Sequence, residues 1–241
     1  MASADLSKIG AQSFSFRHFD AEGAVQRLDE LGLLYMEFCA VHFKPDISDP
    51  GFATLQDLMK THKLEVPCFG VEQYGGDADA NRKKFEFGKA LEVEVLTADP
   101  APEAFDSLDR LCEEFQIKIA IHNHGPKARY DRVEDTLKAI EGRHPFIGAC
   151  VDTGHAIRSG EAPEEVIRAL GDRVHSIHLK DWEFNSDETI LGEGDLNLER
   201  VVAALQEINF SGPIMMEFEL DEDNPVPGMI RGLQHWGEHA W

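Results

Sequence analysis

The sequence predicts an α/β protein whose single domain, residues 1–241, is one (β/α)8 TIM barrel. Short apolar runs of β type, bounded by turns, recur eight times along the chain, and a helical pattern follows each run. Repeated β-α units imply parallel strands joined by right-handed crossovers, and eight of them in about 240 residues match this barrel. A doubly wound open sheet is the alternative, but the first β-α turn, 13–17, carries no glycine-rich dinucleotide motif.

The eight predicted strands are short and largely apolar. They lie near 9–16, 34–40, 64–71, 93–97, 117–122, 146–152, 173–179 and 213–218. The runs 117–121 and 214–216 are nearly continuous in apolar residues rather than alternating. Strands that are covered on both faces show this pattern, as the strands of a barrel do.

The predicted helices have apolar residues at spacings of three and four. The first of them carries Val25, Leu28 and Leu31, and we expect Gly32 to end it. Similar patterns occur in 105–115, 133–140 and 198–208. Asp195 or Asn197 is the expected cap at the start of the last of these, since both side chains favour that position.

The composition is that of a globular protein with an acidic surface. Hydrophobic residues make up 42% of the chain, and 45 acidic residues against 23 basic ones give a formal charge of -22. This charge argues against nucleic acid and anionic membranes as partners, because both are bound by clustered Lys and Arg. The sequence also lacks the run of about 20 apolar residues that a membrane span needs.

The cysteines indicate a reducing, cytoplasmic setting. Cys39, Cys68, Cys112 and Cys150 are far apart and form no CxxC motif, with three in predicted strands and one in a helix. This distribution is typical of reduced core thiols. The N-terminal segment has no apolar core of a secretory signal, and prior removal of an export signal is left open.

Polar side chains cluster after the predicted strands, where TIM barrels carry their chemistry. They are Arg17, His42, Glu72, His122, His124, Asp152, His155, His178, Lys180, Glu217 and Glu219. Four of them, His122, Asp152, His178 and Glu217, end consecutive strands and converge on one point if those strands are adjacent and parallel. Imidazole and carboxylate ligands at one point predict a divalent-metal site and therefore an enzyme.

The motif Asp-Thr-Gly-His at 152–155 strengthens this prediction, because a carboxylate that ends a buried strand needs a partner. His155 is a candidate for substrate binding or proton transfer. In the motif His-Leu-Lys-Asp at 178–181, Lys180 is a candidate for stabilising a carbonyl or enolate oxygen. A surface lysine paired with an acid is the alternative interpretation of Lys180.

The sequence leaves the roles of the remaining candidate residues less defined. His124 alternates with His122 and is expected on the substrate side of the site. Glu217 lies nearer the apolar run than Glu219 and is the better ligand, while Glu219 is a base, a supporting group or an acidic loop residue. The sequence Gly-Glu-Gly at 192–194 predicts a tight turn or an anion site at the following helix N-terminus.

In this order, the motifs at 152–155, 178–181 and 192–194 and the final Glu217 resemble the xylose isomerase-like TIM-barrel superfamily. That superfamily includes sugar phosphate isomerases and epimerases, inosose dehydratases and repair enzymes of the endonuclease IV type. The resemblance runs from Gln12 to Glu217 and is strongest over 119–195. It implies a divalent ion, Mn, Zn, Co or Mg, held by Glu, Asp, His and Glu from strands five to eight.

Carried over to this chain, those ligands are His122, Asp152, His178 and Glu217, with a histidine where the first glutamate is expected. The resemblance implies a sugar isomerase or epimerase that removes the proton next to a carbonyl through a metal-stabilised enediolate. His122, Glu217 or His155 would be the base and Lys180 would stabilise the enediolate. Substrate contacts are expected from Arg17, His42, Glu72, His124, Lys180 and Glu219.

The substrate implied is a small carbohydrate, and we expect it to be unphosphorylated because few basic residues surround the site. The histidine at position 122 puts a two-glutamate epimerisation in question. It leaves room for a lyase, dehydratase or hydratase acting on a keto-sugar, a 3-keto-glycoside or an inositol derivative. A barrel that binds sugar without catalysing a reaction is a third hypothesis. DNA repair is disfavoured, because a strongly acidic protein suits DNA poorly. Whether the chain forms a homo-oligomer is left open.

Overall fold

The computed structural model describes residues 5–240 and shows a single (β/α)8 TIM barrel, as the sequence predicts. The ends of the predicted domain, residues 1–4 and 241, lie outside the described residues, as does part of the segment used to judge an export signal. The barrel strands are β1 (Ile9–Gln12), β2 (Tyr35–Glu37), β3 (Cys68–Tyr74), β4 (Val95–Pro100), β5 (Lys118–His122), β6 (Ile147–Asp152), β7 (Val174–Leu179) and β10 (Ile214–Met216).

Helices lie between the strands and cover the barrel. They are α1 (Ala21–Leu31), α2 (Gly51–His62), α3 (Ala78–Ala90), α4 (Phe105–Phe115), α5 (Val133–Ile140), α6 (Thr153–Arg158), α7 (Pro163–Leu170), α8 (Leu198–Glu207) and α9 (Val226–Ala240). Gly32 ends α1 in the left-handed conformation, and of the two expected caps it is Asn197 that accepts the Arg200 amide at the start of α8. None of the helices between Asp5 and Ala240 is long and apolar enough to span a membrane.

The strands pair in parallel in the order β2-β1-β10-β7-β6-β5-β4-β3. Bridges between Tyr35 and Glu65 and between Phe38 and Phe69 bring β2 against the β3 segment, so the barrel is nearly closed. A short antiparallel hairpin, β8 (Asp181–Trp182) with β9 (Glu188–Thr189), follows β7 and stands outside this sheet. The parallel order places all strand C-termini at one rim.

Five predicted strands end elsewhere at this rim: the third and fourth continue to Tyr74 and Pro100, the last ends at Met216, and the first two end early. The sequence predicts the first strand over 9–16, but the strand ends at Gln12, whose side chain accepts the Phe14 amide at 2.7 Å and starts a 3-10 helix over Ser13–Phe16. The second strand ends at Glu37, so Cys39 follows the strand instead of lying in it. All four cysteines are buried and free.

The core has two parts. A small cluster of Cys68, Val95, Ala120, Cys150 and Met215 is separate from the main core, which is formed by the apolar side chains of the strands and helices. Glycines allow close approach within the barrel: a Cβ on Gly10 would lie 2.3 Å from the Tyr35 carbonyl oxygen. Gly148 makes the same kind of room for His175, because a Cβ there would lie 2.5 Å from its Nε2.

His175 is a buried imidazole that we expect to make folding stability depend on pH. Burial, with Lys118 and Arg173 nearby, lowers the pKa of His175 to about 3. Because the folded-state pKa lies below the unfolded value of about 6.5, the neutral ring contributes stability above that pH. This contribution is lost as the pH falls from about 6.5 towards 3.

Urea unfolding at pH 7.5, 5.5 and 4.5 would measure this effect in the wild type and in His175→Gln. Between pH 5.5 and 4.5 the free energy of unfolding should fall less in the variant than in the wild type. The difference should be up to about 1.4 kcal/mol per pH unit. His239→Gln removes an exposed imidazole from α9 and should keep the wild-type dependence. An unchanged pH dependence in His175→Gln would show that the buried ring does not set it.

Candidate active site

The four predicted metal ligands meet at the C-terminal rim of the barrel. His122 ends β5, Asp152 ends β6, His178 lies in β7 and Glu217 directly follows β10. One nitrogen or oxygen from each lies within 4.8 Å of those of the others, and all four residues are buried. Strand register produces this convergence, since His122 pairs with Cys150 in β6 and Asp152 pairs with His178.

The distances within this group, which we call the rim cluster, are short. His122 Nε2 lies 3.1 Å from His178 Nδ1 and 3.6 Å from Asp152 Oδ2. His178 Nδ1 lies 2.8 Å from Glu217 Oε2. The four donor atoms therefore face a common point rather than four separate partners.

A buried glutamate on β2 orients His178. Glu37 Oε2 lies 2.7 Å from His178 Nε2, and both side chains are fully buried. A carboxylate can only accept, so Nε2 carries a proton, and Nδ1 is the nitrogen that faces the rim cluster, where Glu217 accepts from it. With a cation bound, the ring would be neutral and Nδ1 would present its lone pair instead. A metal-ligating histidine characteristically has such a carboxylate on its other nitrogen, which fixes the ring and raises its basicity.

The rim cluster fits a divalent cation on its own chemistry. Asp152 Oδ2 and His122 Nδ1 are sealed from solvent, and neither makes a hydrogen bond within residues 5–240. An unpartnered buried carboxylate oxygen is costly, and it faces two imidazole nitrogens and a second carboxylate. Two imidazoles and two carboxylates suit Zn²⁺, Mn²⁺ or Co²⁺, so His122, Asp152, His178 and Glu217 could hold such an ion.

The motif at 152–155 has a separate task for each residue. Asp152 Oδ1 accepts the His155 amide at 2.7 Å and so caps α6, while its Oδ2 faces the rim cluster. Thr153 Oγ1 donates to the Lys180 carbonyl at 2.6 Å and accepts the Lys180 amide at 3.0 Å. Gly154 leaves room for the Lys180 stem, because a Cβ there would lie 2.6 Å from Lys180 Cγ.

Lys180 is a buried ammonium, not a surface lysine. Its Nζ lies 3.1 Å from Glu217 Oε1 and also contacts Glu219 Oε1. Burial works against the charge, but Glu217, Asp152 and Glu219 outweigh it and raise the pKa of Lys180 above its ordinary value. Lys180 therefore places a fixed positive charge beside the rim cluster.

The acidic ligands are ionised in this environment. Burial alone would raise the pKa of Asp152 and of Glu217, yet both pKa values are lowered. For Asp152 the opposing groups are His155 and Lys180, and for Glu217 they are Lys180 and His178. Burial also opposes the charged form of His178, but Cys150, Glu37 and Glu217 outweigh it and raise its pKa.

Two further imidazoles, those of His124 and His155, stay neutral at neutral pH. Burial lowers the pKa of His124 to about 4, helped by His122. Burial also lowers the pKa of His155 to about 4, against the attraction of Asp152. Both side chains line the cavity above the rim cluster.

That cavity has a volume of about 360 Å³ and two chemically different halves. The half from β5 to β10 is lined by His122, His124, His155, Glu217 and Glu219. The half from β1 to β3 is lined by Gln12, Phe14, Cys39, Ala40, Val41 and Val71. A ligand would therefore meet its polar contacts mainly on one side.

Four residues predicted to contact substrate do not line the cavity: Lys180, which is buried beside Glu217 and Glu219, and Arg17, His42 and Glu72. Arg17 donates to the Glu219 carbonyl at 3.1 Å and pairs with Glu222. His42 lies 3.1 Å from Ser13 Oγ and 3.2 Å from the Phe19 carbonyl oxygen. Glu72 Oε2 lies 2.8 Å from Lys84 Nζ, so its predicted substrate contact, like those of Arg17 and His42, stays a prediction without support from this geometry.

The hairpin β8–β9 supports Glu219, which lines the cavity. Glu188 in β9 accepts the Glu219 amide at 2.7 Å. Burial raises the pKa of Glu188 to about 7, although Lys180 nearby favours its charged form. The loop after β10 is thus held by a hairpin that the sequence analysis did not predict.

The Gly-Glu-Gly segment forms a tight turn whose amides are already occupied. Asp181 accepts the amides of Gly192 at 2.9 Å, Gly194 at 3.0 Å and Leu196 at 2.9 Å. A carboxylate of the chain itself thus takes the place of an external anion. Of the two interpretations of this motif, the tight turn is the one that the structure supports.

Sequence reasoning missed Glu37 and the roles of Thr153 and Gly154. A signal for Glu37 was present: it is the single charged residue within the apolar run 33–41. A carboxylate inside a predicted barrel strand needs a buried partner, and that partner proved to be His178.

Comparison with known proteins identifies the family and the fold of the chain. The sequence model of the family described as xylose isomerase-like TIM barrel matches residues 25–239. Inosose dehydratase of Clostridium botulinum (strain Eklund 17B / Type B) is 26% identical over 156 residues, which are 56% of this chain and 52% of the relative. The chain thus spans about half the length of this relative and of a second inosose dehydratase of Clostridium botulinum.

Solved structures extend the similarity over the whole fold. An uncharacterised protein from Parabacteroides distasonis ATCC 8503 is 27% identical with a TM-score of 0.75, covering 96% of this chain and 98% of its own. A zinc-bound IolI protein shares the fold with a TM-score of 0.75 at 17% identity, covering 96% of this chain and 99% of its own. At that identity the likeness concerns the fold alone.

Loss of one carboxylate should empty the rim cluster. We expect Asp152→Asn to keep the α6 cap, since Asn also caps helices, but to bind Zn²⁺ at least about 10-fold more weakly. Metal analysis after dialysis against Zn²⁺, with a competing chelator for the affinity, measures this. The matched control Asp106→Asn removes an exposed carboxylate on α4 and should bind as the wild type does. Equal zinc in both variants would contradict the assignment.

Glu37 should support metal binding without being a ligand. Glu37→Gln keeps an acceptor for His178 Nε2 but removes the charge that makes the ring basic, so we expect about 10- to 100-fold weaker metal affinity. The same chelator competition measures it, with thermal unfolding of the metal-free protein as a check of folding. Glu65→Gln, an exposed glutamate just before β3, is the control. Unchanged metal affinity in Glu37→Gln would show that Glu37 does not support metal binding.

Proposed function

The chain belongs to the xylose isomerase-like TIM-barrel family, and on that premise we propose that it is a metal-dependent dehydratase of a keto-sugar or keto-inositol. The observation that carries this proposal is the rim cluster, in which His122 replaces the glutamate expected from the sequence resemblance. The curated relatives named inosose dehydratase support the same reaction class.

The proposed reaction is a β-elimination. A proton leaves the carbon next to a ketone, a hydroxyl group leaves the next carbon as water, and a conjugated enone remains. A divalent cation held by the rim cluster would supply Lewis acidity toward the substrate carbonyl and a neighbouring hydroxyl. The chain must then supply a base, an acid and a positive charge near the developing enolate.

Glu217 and Lys180 are placed for two of these tasks. Glu217 lines the cavity and stays ionised, so its carboxylate can accept the proton. Lys180 does not line the cavity, but its ammonium lies 3.1 Å from Glu217, and this buried positive charge would favour negative charge that develops nearby during the transfer. The burial of both residues strengthens this attraction, because little water screens it.

The charges and the apolar wall around the cavity support a small neutral substrate. Arg17 is committed to Glu222 and the Glu219 carbonyl, and Lys180 is committed to two carboxylates. Neither cation is therefore free to take a phosphate group. The apolar side chains of Phe14, Val41 and Val71 face the substrate from the other half of the cavity.

A sugar isomerase or epimerase is the second candidate. His122 and Glu217 both line the cavity, so two groups that can carry protons are available to a single carbon. In that reaction no water is lost, and the proton returns to the same carbon or its neighbour. The two candidates share the first proton transfer and differ only in the fate of the resulting enolate.

The decisive assay offers the protein, loaded with Zn²⁺, Mn²⁺ or Co²⁺, a panel of keto-inositols, 3-keto-glycosides and ketoses in D₂O. The dehydratase should give an ultraviolet-absorbing enone from at least one keto substrate, with Asp152→Asn as the inactive control. Deuterium incorporation into an epimer or isomer without enone would select the second candidate. Binding of a sugar with neither enone nor exchange would reduce the protein to a sugar-binding barrel.

A further inference from the structure

Outside the rim cluster, the guanidinium of Arg158 meets a cavity-lining imidazole. Arg158 Nη1 lies 2.8 Å from His155 Nδ1, and His155 lines the cavity. The two residues are one turn apart in α6, and the proposed mechanism has so far used neither. The contact has only one chemically sensible form.

A guanidinium has N–H donors and no acceptor at any ordinary pH. The Arg158 N–H therefore donates, and His155 Nδ1 must accept with its lone pair. A proton on Nδ1 would set two donors against each other at 2.8 Å. The ring proton thus lies on Nε2, which makes no hydrogen bond to any residue between Asp5 and Ala240.

Two other elements hold Arg158 in this position. Its guanidinium carbon lies 4.5 Å from the ring centre of Trp182 in β8, a cation–π contact. Gly125, in the loop after β5, also packs closely against it, because a Cβ there would lie 2.7 Å from the same carbon. The guanidinium is therefore fixed by three separate segments rather than by its own helix alone.

We propose that Arg158 is a positioning residue that locks His155 as the neutral Nε2–H tautomer. His155 then offers the cavity a hydrogen-bond donor and no acceptor, so it cannot be the base that removes a substrate proton. Its role, which rests on the proposed function, is to donate to a substrate oxygen, either the carbonyl oxygen or the departing hydroxyl. The tautomer itself follows from the Arg158 contact and does not depend on which substrate is bound.

The tautomer can be read directly. Long-range ¹H–¹⁵N correlation spectra of the zinc-loaded, ¹⁵N-histidine-labelled protein at pH 7.5 distinguish a protonated from an unprotonated ring nitrogen, and His155→Gln assigns the signals. We expect unprotonated Nδ1 and protonated Nε2 for His155 in the wild type. In Arg158→Met the His155 signals should move toward a mixture of tautomers, whereas Arg158→Lys, which keeps a cationic donor, should restore the wild-type pattern at least in part.

Arg132→Met is the matched control, since it removes a neighbouring guanidinium that donates to the Ser159 carbonyl and does not touch His155. It should leave the His155 signals unchanged. A protonated Nδ1 in the wild type, or identical spectra in the wild type and Arg158→Met, would overturn the proposal.

Kinetics test the role separately from the tautomer. With the substrate that the panel identifies, Arg158→Met should lower kcat about 10-fold or more and change KM less, because the donor acts on charge that develops in the transition state. A locked tautomer with unchanged kcat in Arg158→Met would refute the catalytic role while leaving the spectroscopic result intact. Absence of turnover in the wild type with every substrate would count against the proposed function alone.

Discussion

The placement of three carboxylates inside one barrel mouth is the constraint on which the rest of the site depends. Glu37 and Glu217 both contact His178, and Asp152 lies beside His122. All three carboxylates are buried, where an unpaired charge would cost several kcal/mol. Lys180 and His178 neutralise part of this charge, but Asp152 Oδ2 has no hydrogen-bond partner in the part of the chain that the structure describes. A divalent cation would complete the balance of charge at this rim, and the proposed chemistry depends on the same buried carboxylates.

The backbone around the rim is shaped to accommodate long basic side chains. Gly154 leaves space for the stem of Lys180, and Gly125 leaves space for the guanidinium of Arg158. In both cases a Cβ would come closer than 3 Å to the basic side chain. The glycines at these two positions therefore provide space for the site. They let the ammonium of Lys180 reach buried carboxylates and the guanidinium of Arg158 reach an imidazole.

The two halves of the cavity differ in polarity. All rim-cluster ligands come from the strands β5, β6 and β7 and from the end of β10, while β1, β2 and β3 supply mostly apolar walls. Glu37 is the exception, because it reaches across the barrel from β2 to orient His178. The polar half is thus hydrogen-bonded, and under the proposed function the apolar half would form the opposite wall against the substrate.

The barrel and the four members of the rim cluster could be predicted from the order of residues along the chain. Strand periodicity and the position of a polar residue at each strand end are local properties, and parallel pairing converts them into one rim. The partners of the charged residues, in contrast, emerge only from the folded barrel: Glu37 meets His178 across 141 residues, Arg17 turns to Glu222, and Glu72 to Lys84. Spacing along a chain cannot rank such pairings, because each depends on which charged side chains the closed barrel brings within hydrogen-bond distance.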